Sequence, residues 1–339
     1  MGYREDILNQ PKALAATLDA VAQPPDIIAD TGSDFLHGSL KRLVLTGMGS
    51  SLYAQYPLYL KLLSAGFPVT LIETSELIHH AAALLAPHTC VLAVSQSGRS
   101  AEILALLEKH TGRLLAVSNA ADSPLVAAAH GALLTQAGEE HTVSCKTYVA
   151  SLAALEVFGE ALLGRPLAPR LAELWAVLPR IEQYLAEWQR HVAEFQQLLA
   201  GIQNVIYAGR GASLAAALTA GLTTKESTRA AAEGMSSAAF RHGPLEMVSE
   251  RLFVLVFEGD EPTRRLNQRL VAEINTLGGR ARLAGPSAPP GATHLPQVPP
   301  AAYPIHEILP VQMLTLGLAG LHGRTAGEFS QATKVTGIE

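Results

Sequence analysis

The pattern G-x-G-[SA]-S-L occurs twice in this 339-residue chain, as Gly47-Met48-Gly49-Ser50-Ser51-Leu52 and as Gly209-Arg210-Gly211-Ala212-Ser213-Leu214. Each copy follows a short apolar run, at residues 42–46 and 205–208, and precedes a helical pattern. The copies lie 162 positions apart (47 and 209). Solenoid and propeller repeats have periods of roughly 20–50 residues, so this spacing is that of a whole domain. Further strand-like runs fall at 69–73, 89–94, 114–118 and 133–136, separated by helical stretches, and 252–257 repeats the theme in the second half. Strands alternating with helices imply parallel sheets covered on both faces. The expected fold is therefore α/β, with two similar doubly wound parallel-sheet domains, each a three-layer αβα sandwich. The pattern divides the chain into an N-terminal helical segment (1–34), a first domain (35–165), a helical linker (166–200), a second domain (201–320) and a tail (321–339).

The most informative stretch within this frame is 89–100. Thr89-Cys90-Val91-Leu92-Ala93-Val94 reads as a buried strand, and from Ala101 the residues Ile103, Leu104, Leu106 and Leu107 recur at helical spacing. Ser95-Gln96-Ser97-Gly98-Arg99-Ser100 is thus a turn between a strand and a helix N-terminus. Free N–H groups, the helix dipole and three hydroxyls meet there, which suits an anion such as phosphate. Plain N-capping by Ser97 or Ser100 explains the same residues equally well. Ser50 and Ser51 repeat the arrangement in the first G-x-G turn. In the second half, the run 252–257 is followed by Glu258-Gly259-Asp260-Glu261, whose charges would repel phosphate. One phosphate site per chain is expected, in the first domain.

Composition narrows the classes. Hydrophobic residues make up 48% and charged residues 16%, so a large core is possible and disorder is not expected. A net charge of −5 without a basic cluster argues against a nucleic-acid partner. Cys90 and Cys145 form no C-x-x-C pattern, which points to a reducing compartment and against a cysteine metal site. The N-terminus has no apolar signal region, and apolar runs end before about 18 residues, so neither a signal peptide nor a membrane span is expected. These observations together give a cytoplasmic protein with no membrane association.

A third stretch runs from Thr223-Thr224-Lys225-Glu226 to Arg241-His242-Gly243-Pro244-Leu245-Glu246. Glu226 falls in a helical register and His242 in a loop fixed by Gly243-Pro244. They could act as an acid–base pair. Taken alone, they fit a surface helix ending in a structural histidine better.

With these motifs laid out, the chain resembles the sugar isomerase (SIS) family over about residues 35–339. Within it, the chain is most similar to the isomerase half of glutamine–fructose-6-phosphate amidotransferase and to SIS-type glucosamine-6-phosphate deaminases. The motifs G-M-G-S-S, S-Q-S-G-R-S, S-C-K, G-R-G-A-S, K-E, R-H-G-P-L-E and A-T-K-V-T-G-I-E occur in the family's order. The resemblance implies a sugar phosphate held by Ser50, Ser51, Ser95, Gln96, Ser97 and Ser100. It implies that Glu226 moves a proton between carbons 1 and 2, that His242 opens the ring, and that Lys334, in the tail, lies near the sugar carbonyl.

The resemblance also implies a homodimer with shared active sites, in which His242 enters from the neighbouring subunit; the small-residue run 234–239 could pack against another chain. No metal or redox cofactor is needed. The implied activity is isomerisation of an amino-sugar 6-phosphate with release of ammonia. A fructosamine-6-phosphate deglycase and a non-catalytic sugar-phosphate-binding regulator are the alternatives. Three departures stand out. Arg99 replaces the family glutamate, either adding a cation near the phosphate or facing solvent. Thr223 replaces a lysine three positions before Glu226. The chain begins about where the isomerase half begins, so synthesis from glutamine is not expected.

Overall fold

The strand-like runs of the sequence are strands, except that the run at 133–136 overlaps its strand only at Leu133 and Leu134, and the described strands all pair in parallel. The computed structural model describes residues 2–331 and 333–337. One sheet contains β1 (Arg42–Gly47), β2 (Val69–Glu73), β3 (Thr89–Val94), β4 (Arg113–Ser118) and β5 (Gly131–Leu134), in the order β2-β1-β3-β4-β5. The other contains β6 (Asn204–Gly209), β7 (Ala231–Ser236), β8 (Leu252–Phe257) and β9 (Arg280–Ala284), in the order β7-β6-β8-β9. The chain divides into two compact units. The first-sheet unit takes residues 12–140, 145–175 and the tail from 331; the second-sheet unit takes the residues up to 11, 141–144 and 176–330. The division falls inside the segments 1–34, 35–165, 166–200 and 321–339.

Burial on both faces explains why the strands read as continuous apolar runs. All six residues of β3 are buried. On one face Val44, Val91, Ala93, Leu114 and Ala116 pack with Leu77, Ile78, Ile103, Leu106 and Leu125 from neighbouring helices. Residues of opposite parity, Leu43, Leu45, Cys90, Leu92 and Val117, are buried too. On the second sheet Ile206, Ala208, Val254, Val256 and Ala281 pack with Phe240, Leu270 and Ile274. Burial pushes the Cys90 thiol up to about 12, and both cysteines are free. Among the described residues no helix is long and apolar enough to cross a membrane.

Two strands carry no apolar signature. β7, Ala-Ala-Glu-Gly-Met-Ser, pairs with β6 from Asn204↔Ala231 to Gly209↔Ser236. Its small residues serve the helix Ser213–Thr228, which packs on it. A Cβ at Gly234 would lie 1.9 Å from the carbonyl oxygen of Ala217, and one at Gly221 would lie 2.4 Å from the Gly234 nitrogen. At Gly234, the small-residue run is therefore explained by a close backbone approach within the chain. β9, Arg-Ala-Arg-Leu-Ala, is an edge strand with exposed arginines.

Each sheet reverses its winding direction next to its first strand. In the first sheet β1 lies between β2 and β3; in the second, β6 lies between β7 and β8. The loops leaving the two central strands then diverge, and a crevice opens at their carboxyl ends. In the second sheet the chain's own carboxylates crowd this point. A Cβ at Gly211 would come within 3.3 Å of Asp260 Oδ2. Glu258 is buried and accepts from Ser287 N at 2.8 Å, with Gln268 Nε2 at 3.3 Å. Glu307 Oε1 accepts from the Ser213 hydroxyl at 2.7 Å. Burial, added to by the charges of Asp260 and Glu258, raises the Glu307 carboxyl from 4.5 to about 8. The acidic composition read at 258–261 is thus concentrated where an anion would otherwise sit.

Two outcomes are expected. Gly234→Ala forces the helix and strand apart and lowers stability by about 1–3 kcal/mol, the usual cost of overpacking, as read by urea unfolding. Glu307 is uncharged in the fold up to about 8 but ionises near 4.5 when unfolded. Across that window the unfolded chain binds fewer protons, so stability falls as pH rises, by at most about 1.4 kcal/mol per pH unit. Glu307→Gln removes this slope. Its stability relative to the unmodified protein should rise between pH 5 and pH 8, and a constant difference would show Glu307 to be ionised in the fold.

Candidate functional site

The corresponding crevice of the first sheet is lined by donors. β1 pairs directly with β3, with Thr46 opposite Ala93, so the turns that follow these strands are neighbours. Ser50 and Ser51 open the short helix Ser50–Tyr53 after Gly49 and are half-buried. After β3, Ser95 is buried and its hydroxyl accepts the Gly98 N–H at 3.0 Å, closing the turn. Gly98 sits at φ +60° against Ser123, where a Cβ would lie 2.4 Å from the Ser123 hydroxyl oxygen. Only glycine fits there. Gln96, Ser97 and Ser100 are half-buried along the crevice.

Ser100 is the N-cap of helix Ala101–Lys109, yet its hydroxyl makes no capping bond. Ser97 Oγ accepts from Arg99 N at 3.3 Å, a bond within the turn that lies before helix Ala101–Lys109. Ser123 Oγ accepts from Val126 N, also at 3.3 Å, and there the bond caps the helix Pro124–Ala128. Arg99 donates to the Asp122 carbonyl at 2.8 Å and pairs with its carboxylate at 3.0 Å. It ties the turn after β3 to the turn after β4.

The tail reaches the same unit. The Thr336 carbonyl accepts the N–H of Ala101 at 3.1 Å, at the first helical residue beyond the serine turn. Lys334 Nζ lies 2.7 Å from Glu140 Oε2. Ala332, Ile338 and Glu339 of the A-T-K-V-T-G-I-E motif lie outside the described residues. The first-sheet unit thus brings together the two serine turns and Lys334.

Glu226 and His242 belong to the second-sheet unit. Glu226 is half-buried in the last turn of helix Ser213–Thr228. Thr223 is buried on that helix and its carbonyl accepts from Ser227 Oγ. His242 is exposed, between helix Ser237–Phe240 and the turn Pro244–Met247, with its N–H bonded to the Ala239 carbonyl at 2.9 Å. Among the described residues no group of three or more His, Cys, Asp or Glu could hold a metal ion.

One functional candidate escapes sequence reasoning. Glu140 is simply an acidic residue ahead of an apolar helix in the sequence. In the fold its side chain is fully buried and bonded to Lys334. Its only advance signal is an acid placed before a helix N-terminus, the position that the dipole favours.

Residues 39–161 match the SIS domain family. The chain is 27% identical over 353 residues to the glutamine–fructose-6-phosphate aminotransferase (isomerizing) of Pyrococcus horikoshii, and 29% identical over 359 residues to that of Pseudomonas aeruginosa. Each alignment covers 99% of this chain but only 57% and 58% of the respective relative.

Among solved structures, the C-terminal domain of the glucosamine-fructose-6-phosphate aminotransferase of Francisella tularensis superposes with a TM-score of 0.79 at 21% identity, covering 96% of this chain and 98% of that one. Tagatose-6-phosphate ketose/aldose isomerase of Escherichia coli gives 0.78 at 20% identity, covering 97% of each. Glucosamine-6-phosphate deaminase of Thermotoga maritima gives 0.71 at 16%, covering 95% and 100%. Over residues 39–161 the chain is similar to the SIS domain.

Proposed function

We propose that the protein is a phosphosugar isomerase/deaminase that converts an amino-sugar 6-phosphate to a ketose phosphate and releases ammonia. The observation that carries this reading is the first-sheet crevice: two adjacent serine turns and the Lys334 tail in one unit, with no internal carboxylate on the turns themselves. In this reading Ser50, Ser51, Ser95, Gln96, Ser97 and Ser100 form the cradle for the phosphate. His242 assists ring opening by proton transfer to the ring oxygen. Glu226 takes the proton from carbon 2 and returns it to carbon 1, leaving a ketimine. Water adds to the ketimine and the amine departs as ammonia. Lys334 supplies positive charge beside the developing oxyanion. Relatives named as aminotransferases, a deaminase and a ketose/aldose isomerase share sugar phosphates as the common element in their names.

The test is a substrate panel of glucosamine, galactosamine and fructosamine 6-phosphates, with ammonia and ketose phosphate measured together. Turnover of an aminohexose phosphate supports the reading. Release of a free amino acid from a fructosamine phosphate would make the protein a deglycase, and binding without turnover a sensor. In the same assay Ser51→Ala and Ser97→Ala should each raise KM more than they lower kcat. Each removes a donor to a charged group remote from the reacting carbons, at a cost of about 1.5–3 kcal/mol. Unchanged KM in both variants would return the turns to a purely structural role.

The exposed position of His242 fits a site completed by a second copy of the chain. A twofold dimer would then build two equal sites. Glu226→Gln and His242→Asn, each inactive alone, should recover part of the activity when mixed under conditions of subunit exchange, because a mixed dimer holds one intact site. No recovery would place both residues of each site in one chain.

A further inference from the structure

Both oxygens of the Glu140 carboxylate are engaged, and nothing in the proposed chemistry uses it. Its side chain has no exposure to solvent. Oε1 accepts from Cys145 N at 2.9 Å and Thr147 N at 3.1 Å. Oε2 accepts from the Thr147 hydroxyl at 2.5 Å and from Lys334 Nζ at 2.7 Å. Three of these four donors sit at the start of helix Lys146–Leu162, whose N-cap, Cys145, makes no side-chain capping bond. The fourth belongs to the tail. One buried anion therefore joins a helix N-terminus to the lysine of a segment 194 positions away.

We propose that Glu140 is a positioning residue that fixes the Lys334 ammonium and, with it, the tail segment 333–337 across the start of helix Ala101–Lys109. Apart from this pair, the tail's described bond to the unit is the Thr336 carbonyl on Ala101 N–H. That N–H is the first of the helix and has no intrahelical acceptor, so its protection from solvent depends on the tail staying in place. An isolated lysine at the surface would gain little from a fixed rotamer. Here its partner is fixed by three helix-side bonds before the lysine arrives, so the ammonium has one low-energy position. Burial would raise the Glu140 carboxyl, but Lys334 and the bonds from Thr147 and Cys145 outweigh it and hold the group below the usual carboxylate range. The partner is thus an anion at neutral pH. The catalytic consequence of this placement rests on the reading given under Proposed function; the tether itself does not.

The test separates the two. A lysine-specific endoprotease cleaves after Lys334 only if the side chain can leave Glu140 and enter the protease. In the full-length protein, Glu140→Gln should speed this cleavage by about tenfold or more, the factor carried by one charge-assisted hydrogen bond. Thr147→Val, which deletes a helix-side bond and keeps the carboxylate, should leave it within about twofold.

Should Glu140→Gln fail to fold, Lys334→Met probes the same tether from its partly exposed end. Hydrogen exchange at Ala101 N–H should then accelerate by a similar factor. Cleavage of Glu140→Gln at the unmodified rate, equal acceleration in Thr147→Val, or unchanged Ala101 exchange in Lys334→Met would each overturn the proposal. On an amino-sugar phosphate that is turned over, Glu140→Gln should lower kcat with KM nearly unchanged, whereas equal loss in both would assign Glu140 to folding alone. If no sugar phosphate is turned over by the unmodified protein, the functional reading fails while the cleavage and exchange results still decide the tether.

Discussion

The constraint on which the structure depends is the handedness of parallel crossovers. A strand, helix and parallel strand connect in a right-handed sense almost without exception. A sheet that grows outward from a central pair must therefore send its connections to opposite faces. In the first sheet the chain leaves β1 toward β2 and leaves β3 toward β4, on the other side. The two loops part, and their backbone N–H groups remain at the rim instead of being covered by a crossing segment. No particular side chain is needed to make the crevice. Side chains decide only what it holds.

The two sheets show that decision made in opposite ways. Both place a glycine at positive φ in each central turn, Gly49 and Gly98 in one, Gly211 and Gly259 in the other. The backbone frame is shared, and its electrostatic tendency, partial positive charge at helix starts, is the same in both. In the first sheet serine hydroxyls line the turns. In the second, Asp260 and Glu258 supply negative charge from within, and Glu307 adds a third carboxyl that burial keeps protonated over most of the neutral range. A frame that attracts anions is satisfied either by a ligand or by the protein itself.

What could be read from the sequence followed from how local the signal was. The strands β3 and β8 match the apolar runs at 89–94 and 252–257 residue for residue, because every one of their residues is buried; β2 matches 69–73 as well, although it is a half-buried edge strand. β7 and β9 were silent. The first is made of small residues by its contact with a helix backbone, and the second is an edge with alternating arginines. The serine turns were legible because strand, turn and helix are contiguous. Glu226, His242 and Lys334 were legible only through resemblance, since each draws its meaning from parts of the chain far away in sequence. Arg99 had two open readings, and its pairing with Asp122 depends on a neighbouring turn that no local pattern reveals. Glu140 was invisible for the same reason.

The separation of Glu140 from Lys334 also bears on how the protein is made. The whole second sheet is encoded between these two residues, so a growing chain completes the first sheet long before its buried carboxylate can meet a cation. Until then the start of helix Lys146–Leu162 holds an anion with only hydrogen-bond donors around it, and water or a proton must stand in for the missing lysine. The crevice thus matures after the sheet that carries it. A ribosome-bound intermediate would have both serine turns in place while Glu140 still lacked the cation that Lys334 brings.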